Sequence, residues 1–309
     1  MKRYCIFLGL LFVTLFSFAQ NSQEVEVVVQ GDTLRGVLDL PSEKVKQVIL
    51  LLPGSGPTDR NGNNPQMKSN AYLQLSEELQ KGGVGVLRID KRGIGKSTVK
   101  NFNERSLRFE TFVLDAIEWA KWLRSLGYEV VIAGHSEGSS IGILASQKVP
   151  VKGLISLAGP GRSAGEILQE QIGQQPKEIQ EMALPILSTL RKGTQVSDVH
   201  PFMMGLFRPS VQPYLISWMA VDPAKEISTL QIPVLVLQGD RDLQVRVQDA
   251  KILANRSNNS KIVILKGVNH VLKKTGKDRE SNMKSYADPS HRIDPSVARE
   301  ILSWLGSIR

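Results

Sequence analysis

Short apolar runs bounded by turn residues recur along this chain, at Val48–Leu52, Val84–Ile89, Val130–Ala133, Gly153–Leu157, Val234–Leu237 and Ile262–Leu265. Runs of this length, rich in Val, Ile and Leu and without polar alternation, fit strands buried on both faces of a mainly parallel sheet. Helical-period segments lie between them at Tyr72–Gln80, Phe112–Ser125, Gly138–Gln147 and Val247–Ala254. A last one, Pro295–Leu305, carries proline at its start. Strand and helix alternate, which predicts an α/β chain with a mainly parallel, doubly wound sheet. Ahead of it, Glu24–Val29 and Leu34–Leu40 flank Gly31-Asp32 and read as a hairpin. One interval breaks the rhythm: from about Arg162 to Ala220 there is no buried-strand run, only helical patterns and the apolar stretches PFMMGLF and VQPYLISWMA. It reads as a helical cap, about residues 161–221, inserted into a core of about 24–160 and 222–309.

The first residues are read apart from the fold. MKR is followed by an apolar run from Ile6 to Phe18, shorter than the ~20 residues that span a bilayer, and Ser17-Phe18-Ala19 offers small residues where a signal peptidase reads. Residues 1–19 are therefore expected to be a cleaved export signal, with a retained anchor as the other reading. The product would be periplasmic or secreted, with no integral membrane segment. The only cysteine, Cys5, falls in that segment, so the mature chain would have neither disulfides nor thiolate chemistry. The net charge of +9 becomes +7 without Lys2 and Arg3, and the basic residues are spread out except between Lys273 and Lys284. That cluster reads as a solvated basic loop. Aromatic residues are not interleaved with it, and no nucleic-acid module is present, so nucleic acid is not an expected partner.

Gly134-His135-Ser136-Glu137-Gly138 matches G-x-S-x-G between an apolar run and a helical segment. A tight strand-to-helix turn would by itself account for the glycines. The same turn would also lift the Ser136 hydroxyl out of the backbone at a helix start, whose free N–H groups favour developing negative charge. A serine hydroxyl needs a base, and the base needs an orienting acid. Of the four histidines, His135 lies inside the turn with its side chain expected to point away from the serine. His200 lies in the cap and His291 in a polar loop. His270 follows the run Ile262–Leu265 and a short loop, at the sheet edge where open α/β sheets build their sites. Asp240 and Asp242 follow the run ending at Leu237; Asp242 is the candidate acid and Asp240 a turn residue. The backbone N–H of Glu137 would be one oxyanion donor and that of Ser55, between Gly54 and Gly56, the other.

Two glycine motifs point elsewhere and fail. Gly54-Ser55-Gly56 would need glycine at Asp59 to be a dinucleotide fingerprint, and Gly93-Ile94-Gly95-Lys96-Ser97 would need glycine at Asp90 to be a phosphate-binding loop. No metal or organic cofactor is implied.

With these residues in view, the chain resembles the α/β-hydrolase superfamily, in the bacterial branch of serine carboxylesterases and S33 serine-aminopeptidase-like hydrolases. The resemblance runs over roughly residues 24–308 and rests on LLPGSGPTDRNGN, IDKRGIGKS, GHSEG, the segment from Val221 to Val245 and GVNH. It implies an α/β-hydrolase fold with an inserted helical cap, the chain order Ser136, Asp242, His270, and an acyl-enzyme mechanism. Pro53 departs from the pattern, standing where many relatives have histidine. The cap holds as many acidic as basic residues, five of each, which gives no reason to expect a cationic substrate end. A carboxylic ester is thus the expected substrate, a peptide or amide the alternative and a thioester a third. A binding protein on a hydrolase scaffold is the reading from outside enzymology. Oligomeric state is not legible.

Overall fold

The apolar runs become strands because each finds partners on both sides. The computed structural model describes residues 21–41 and 44–308; the segment read as an export signal lies outside them. β1 (Asn21–Val29) and β2 (Asp32–Leu40) form an antiparallel hairpin. Its turn is Gln30-Gly31, both at positive φ, the pairing whose twist suits a two-residue hairpin loop. Then follow β3 (Gln47–Leu52), α1 (Ala71–Lys81), β4 (Gly85–Ile89), α2 (Phe109–Ser125), β5 (Glu129–His135), α3 (Glu137–Ser146) and β6 (Gly153–Leu157). An all-helical stretch comes next, with α4 (Ala164–Gly173), α5 (Lys177–Arg191), α6 (Met204–Phe207), α7 (Gln212–Met219) and α8 (Pro223–Ile227). The chain closes with β7 (Val234–Gly239), α9 (Val247–Arg256), β8 (Ser260–Leu265), α10 (Arg279–Tyr286) and α11 (Pro295–Ser307).

All eight strands join one sheet in the order β1-β2-β4-β3-β5-β6-β7-β8. β1 and β2 pair antiparallel, as do β2 and β4, and every other pairing is parallel. Alternation along β3 divides the core. Val48, Leu50 and Leu52 face a layer with Trp119 and Leu123 of α2 and Leu253 of α9, while Ile49 and Leu51 face Leu75 and Leu79 of α1 and Trp304 of α11. Helices thus cover both faces, as the alternating pattern predicts. Ile186 and Leu190 of α5 and Phe207 and Leu215 near α7 extend the first of these layers.

The structure corrects two expectations. β8 is the last strand of the sheet and leaves Ile262 and Ile264 each 39% exposed, so Ile262–Leu265 is an edge rather than a strand covered on both faces. The stretch from Lys273 to Lys284 is also not a solvated loop throughout. Lys273 is fully buried, donating from Nζ to the carbonyls of Ser285 (3.1 Å) and Asp288 (2.6 Å), and α10 begins at Arg279. Burial lowers the Lys273 ammonium to about 8. Among the described residues, no helix is long and apolar enough to cross a membrane.

Candidate active site

β5 ends at His135 and α3 starts at Glu137, so a single residue, Ser136, turns the chain. It does so at φ 53°, ψ −120°, which non-glycine residues rarely adopt. The flanking glycines are there because nothing larger fits. A Cβ on Gly134 would lie 2.0 Å from the Gly138 carbonyl oxygen, and one on Gly138 would lie 2.5 Å from that of Leu52. Packing of β5 and α3 against β3 thus holds the turn in its strained form.

Asp242 and His270 come from the loops after β7 and β8, at the same sheet edge. His270 Nδ1 is 2.7 Å from Asp242 Oδ2, with both side chains buried. The same oxygen accepts from Gln238 Nε2 at 2.9 Å, and Oδ1 accepts the backbone N–H groups of Gln244 (2.7 Å) and Val245 (2.9 Å). Burial pushes the Asp242 carboxyl up, but the His270 imidazole and these hydrogen bonds outweigh it and hold the group below the ordinary aspartate range. An ionised carboxylate at Nδ1 requires a proton there, which leaves Nε2 of a neutral imidazole as the basic atom. Asp240 has a different part: its Oδ1 accepts the N–H of Gly267 at 2.6 Å and ties the two loops together.

Ser55, Ser136 and Glu137 line one cavity of about 440 Å³. The loop after β3 lies against the turn, where a Cβ on Gly54 would sit 3.2 Å from His135 Nδ1 and 3.5 Å from the Ser136 Cβ. Neither the Ser55 nor the Glu137 N–H donates to a protein acceptor among the described residues, which for Glu137 follows from its place at the start of α3. The rest of the wall is mostly apolar, with Phe112, Ile167, Leu168, Tyr214, Leu215 and Trp218 among its residues. Tyr214, Leu215 and Trp218 come from α7 and Ile167 and Leu168 from α4, so the helices between β6 and β7 supply much of it. His200 Nδ1 accepts the Phe202 N–H in a turn before α6, and His291 lies near α10. The cavity wall includes Ser136, Gln244 and Val245 but none of the four histidines, so Asp242 and His270 stand behind it rather than in it.

Two contributors carry no signal in a motif. His135 is buried and bridges the site: its Nε2 donates to the His270 carbonyl at 2.7 Å, and its Nδ1 lies 2.8 Å from the Tyr72 hydroxyl. A carbonyl only accepts, so Nε2 carries the proton and Nδ1 accepts from Tyr72. The Tyr72 oxygen in turn accepts the Gly54 N–H at 3.0 Å. This chain of hydrogen bonds connects the candidate oxyanion loop at Gly54 to the backbone of the candidate base. It requires His135 to be neutral, and burial together with the adjacent His270 lowers its imidazole to about 3. Tyr72 was legible as a helix-face residue only, and nothing in the sequence gave its hydroxyl a partner.

Comparisons with known proteins agree with this architecture. A family model described as serine aminopeptidase, S33, matches residues 66–274, more than half of the chain. The esterase EstD of Thermotoga maritima is 27% identical over 305 residues, covering 93% of this chain and 68% of that protein. Among solved structures, ferulic acid-bound Est1E of Butyrivibrio proteoclasticus superposes with a TM-score of 0.62 at 18% identity, over 91% of this chain and 99% of that one. The Pyrococcus furiosus esterase Pf2001 gives 0.57 at 16% identity, over 100% and 96%. At such identities the structural likeness speaks for the fold, which is that of the α/β-hydrolases. With the family model spanning the sheet from before α1 to beyond β8, the chain belongs to the serine aminopeptidase S33 family of α/β-hydrolases.

Proposed function

We propose that the protein hydrolyses carboxylic esters through a covalent acyl-enzyme. Ser136 Oγ attacks the ester carbonyl while His270 Nε2 takes its proton, and Asp242 stabilises the imidazolium through Nδ1–H. The carbonyl oxygen, now an anion, is met by the N–H groups of Ser55 and Glu137. His270 returns the proton to the departing alcohol, and a water activated by the same imidazole then releases the acid and frees the serine.

The choice of ester over peptide rests on one observation. Recognition of a free amino terminus needs a carboxylate whose charge is available in the pocket, and each of the two carboxylates in its wall is already paired with a cation, only the buried Glu137 Oε2 having no partner among the described residues. Glu104 is held by Arg208 and Ser210, and Glu137 by Lys91 at 2.9 Å. The remaining surface favours an uncharged, apolar group. EstD and Pf2001, both named as esterases, support the same reading by similarity. The N-terminal segment supports action outside the cytoplasm, which N-terminal sequencing of the exported protein would check.

The deciding assay follows p-nitrophenyl esters from acetate to long chain beside aminoacyl p-nitroanilides, with the protein and its Ser136→Ala variant. Ester turnover well above anilide turnover, and absent from the variant, is expected. Anilide turnover exceeding ester turnover would make this a peptidase, and equal residual rates in both proteins would leave Ser136 a turn residue.

A further inference from the structure

We propose that Lys91 is a positioning residue for the oxyanion donors and that it works through the side chain of Glu137. The inference rests on the serine-hydrolase reading above. It gives the glutamate of the Gly134–Gly138 turn two parts: its backbone N–H is a donor, and its carboxylate holds the lysine that orients the other donor.

Lys91 follows β4 by two residues and points its ammonium into the interior beside the cavity. Nζ donates to Glu137 Oε1 at 2.9 Å and to the Gly54 carbonyl at 3.2 Å, and it lies 4.6 Å from the centroid of the Phe112 ring. The Lys91 and Glu137 side chains are 7% and 0% exposed. A charge so buried is tolerated only when paired and hydrogen-bonded, so its direction is fixed rather than fluctuating.

The Gly54 carbonyl and the Ser55 N–H belong to one peptide unit. That unit is planar and trans, as no cis bond occurs among the described residues, so its C=O and N–H point in opposite directions. An ammonium anchored on the Gly54 oxygen therefore aims the Ser55 N–H away from Lys91, in a cavity that Ser55, Lys91, Ser136 and Glu137 line together. The preceding peptide is fixed as well, by the Tyr72 oxygen accepting from Gly54 N–H at 3.0 Å. Without the lysine, no other side chain among the described residues holds the Gly54 carbonyl, and glycine at 54 imposes little torsional restriction on it. The effect is one of orientation rather than added field, since Glu137 neutralises the Lys91 charge at contact distance.

The test uses Lys91→Met, Glu137→Gln and the double variant, each in the full protein. Lys91→Met alone leaves a buried carboxylate unpaired and can fail to fold, whereas the double variant removes both charges with little change of shape. The readouts are the rate at which a fluorophosphonate labels Ser136, which needs no natural substrate, and kcat and KM per labelled site on a p-nitrophenyl ester. The double variant is expected to keep its melting temperature within a few degrees and its KM within about two-fold, while labelling rate and kcat fall by about 10- to 100-fold. Glu137→Gln should fall less, because an amide oxygen can still accept from the lysine. A folded double variant labelled and turning over at the wild-type rate would overturn the proposal, as would a loss confined to the fraction of folded protein. Wild-type protein that resists the probe would instead overturn the serine mechanism beneath it.

Discussion

The two halves of the candidate site are built by opposite means. On the β7–β8 side, the groups that would do chemistry are side chains, and backbone holds them: Asp242 is fixed by the N–H groups of Gln244 and Val245 and carries His270 on its other oxygen. On the β3–β5 side, apart from the Ser136 hydroxyl itself, the groups that would do chemistry are backbone N–H donors, and side chains hold them: Tyr72 and Lys91 grip Gly54 from its two ends. The first half depends on identity and ionisation, the second on direction. Loss of a carboxylate or an imidazole should therefore be severe, whereas loss of a support for the donors should be graded.

That contrast can be broken by measurement. Ser136→Ala, which removes the proposed nucleophile common to both halves, is expected to lower ester kcat by about 10⁴-fold or more, read on protein free of wild-type contamination. Asp242→Asn keeps the shape but removes the charge and allows the wrong His270 tautomer, so a loss of roughly 10³- to 10⁴-fold is expected. If it proved no worse than the Lys91→Met/Glu137→Gln pair, the division into severe and graded halves would collapse.

The bridge between the halves gives a pH test. The His135 imidazole is near 3 when folded and about 6.5 when unfolded, so between those values the unfolded chain binds the extra proton. Stability from keeping this group neutral is complete above about pH 6.5 and is lost as pH falls toward 3, on the order of a few kcal/mol. Urea midpoints of wild type and His135→Gln should converge over that window, since glutamine cannot titrate; parallel curves would mean that His135 does not stay neutral. The smallest effect is expected at Tyr214, whose buried hydroxyl faces the Glu137 carboxylate without a well-formed hydrogen bond among the described residues. Tyr214→Phe should change stability by no more than about 1 kcal/mol, toward greater stability, and leave kcat within about two-fold. A large loss of kcat would place its hydroxyl on the substrate.

The same division decides what the sequence disclosed. Alternating runs and helical periods were enough for the sheet, because burial on two faces leaves a compositional trace at every position. Ser136, Asp242 and His270 were readable as candidates because their chemistry resides in residue type and their order in the chain is restricted. Lys91 was not, since a lysine two residues past a strand looks like any solvated cation until the Glu137 carboxylate, 46 residues on, is seen beside it. Lys273 was misjudged for the same reason: its neighbours in sequence are charged, but its partners in space are the carbonyls at the end of α10. β8 was read as covered on both faces because an apolar run does not tell whether a further strand or helix lies beyond it.

β6 and β7 pair in unbroken parallel register, Leu154 with Val234 through Leu157 with Leu237, although five helices intervene along the chain. Closing so long a connection instead of a short crossover costs only about 1–2 kcal/mol, because the entropy grows with the logarithm of length. The sheet is therefore nearly indifferent to what is spliced in at that point. A sheet of this kind can take a longer, shorter or different segment there while Ser136, Asp242 and His270 stay where the strands hold them, so the wall of the cavity can drift while these three groups stand still.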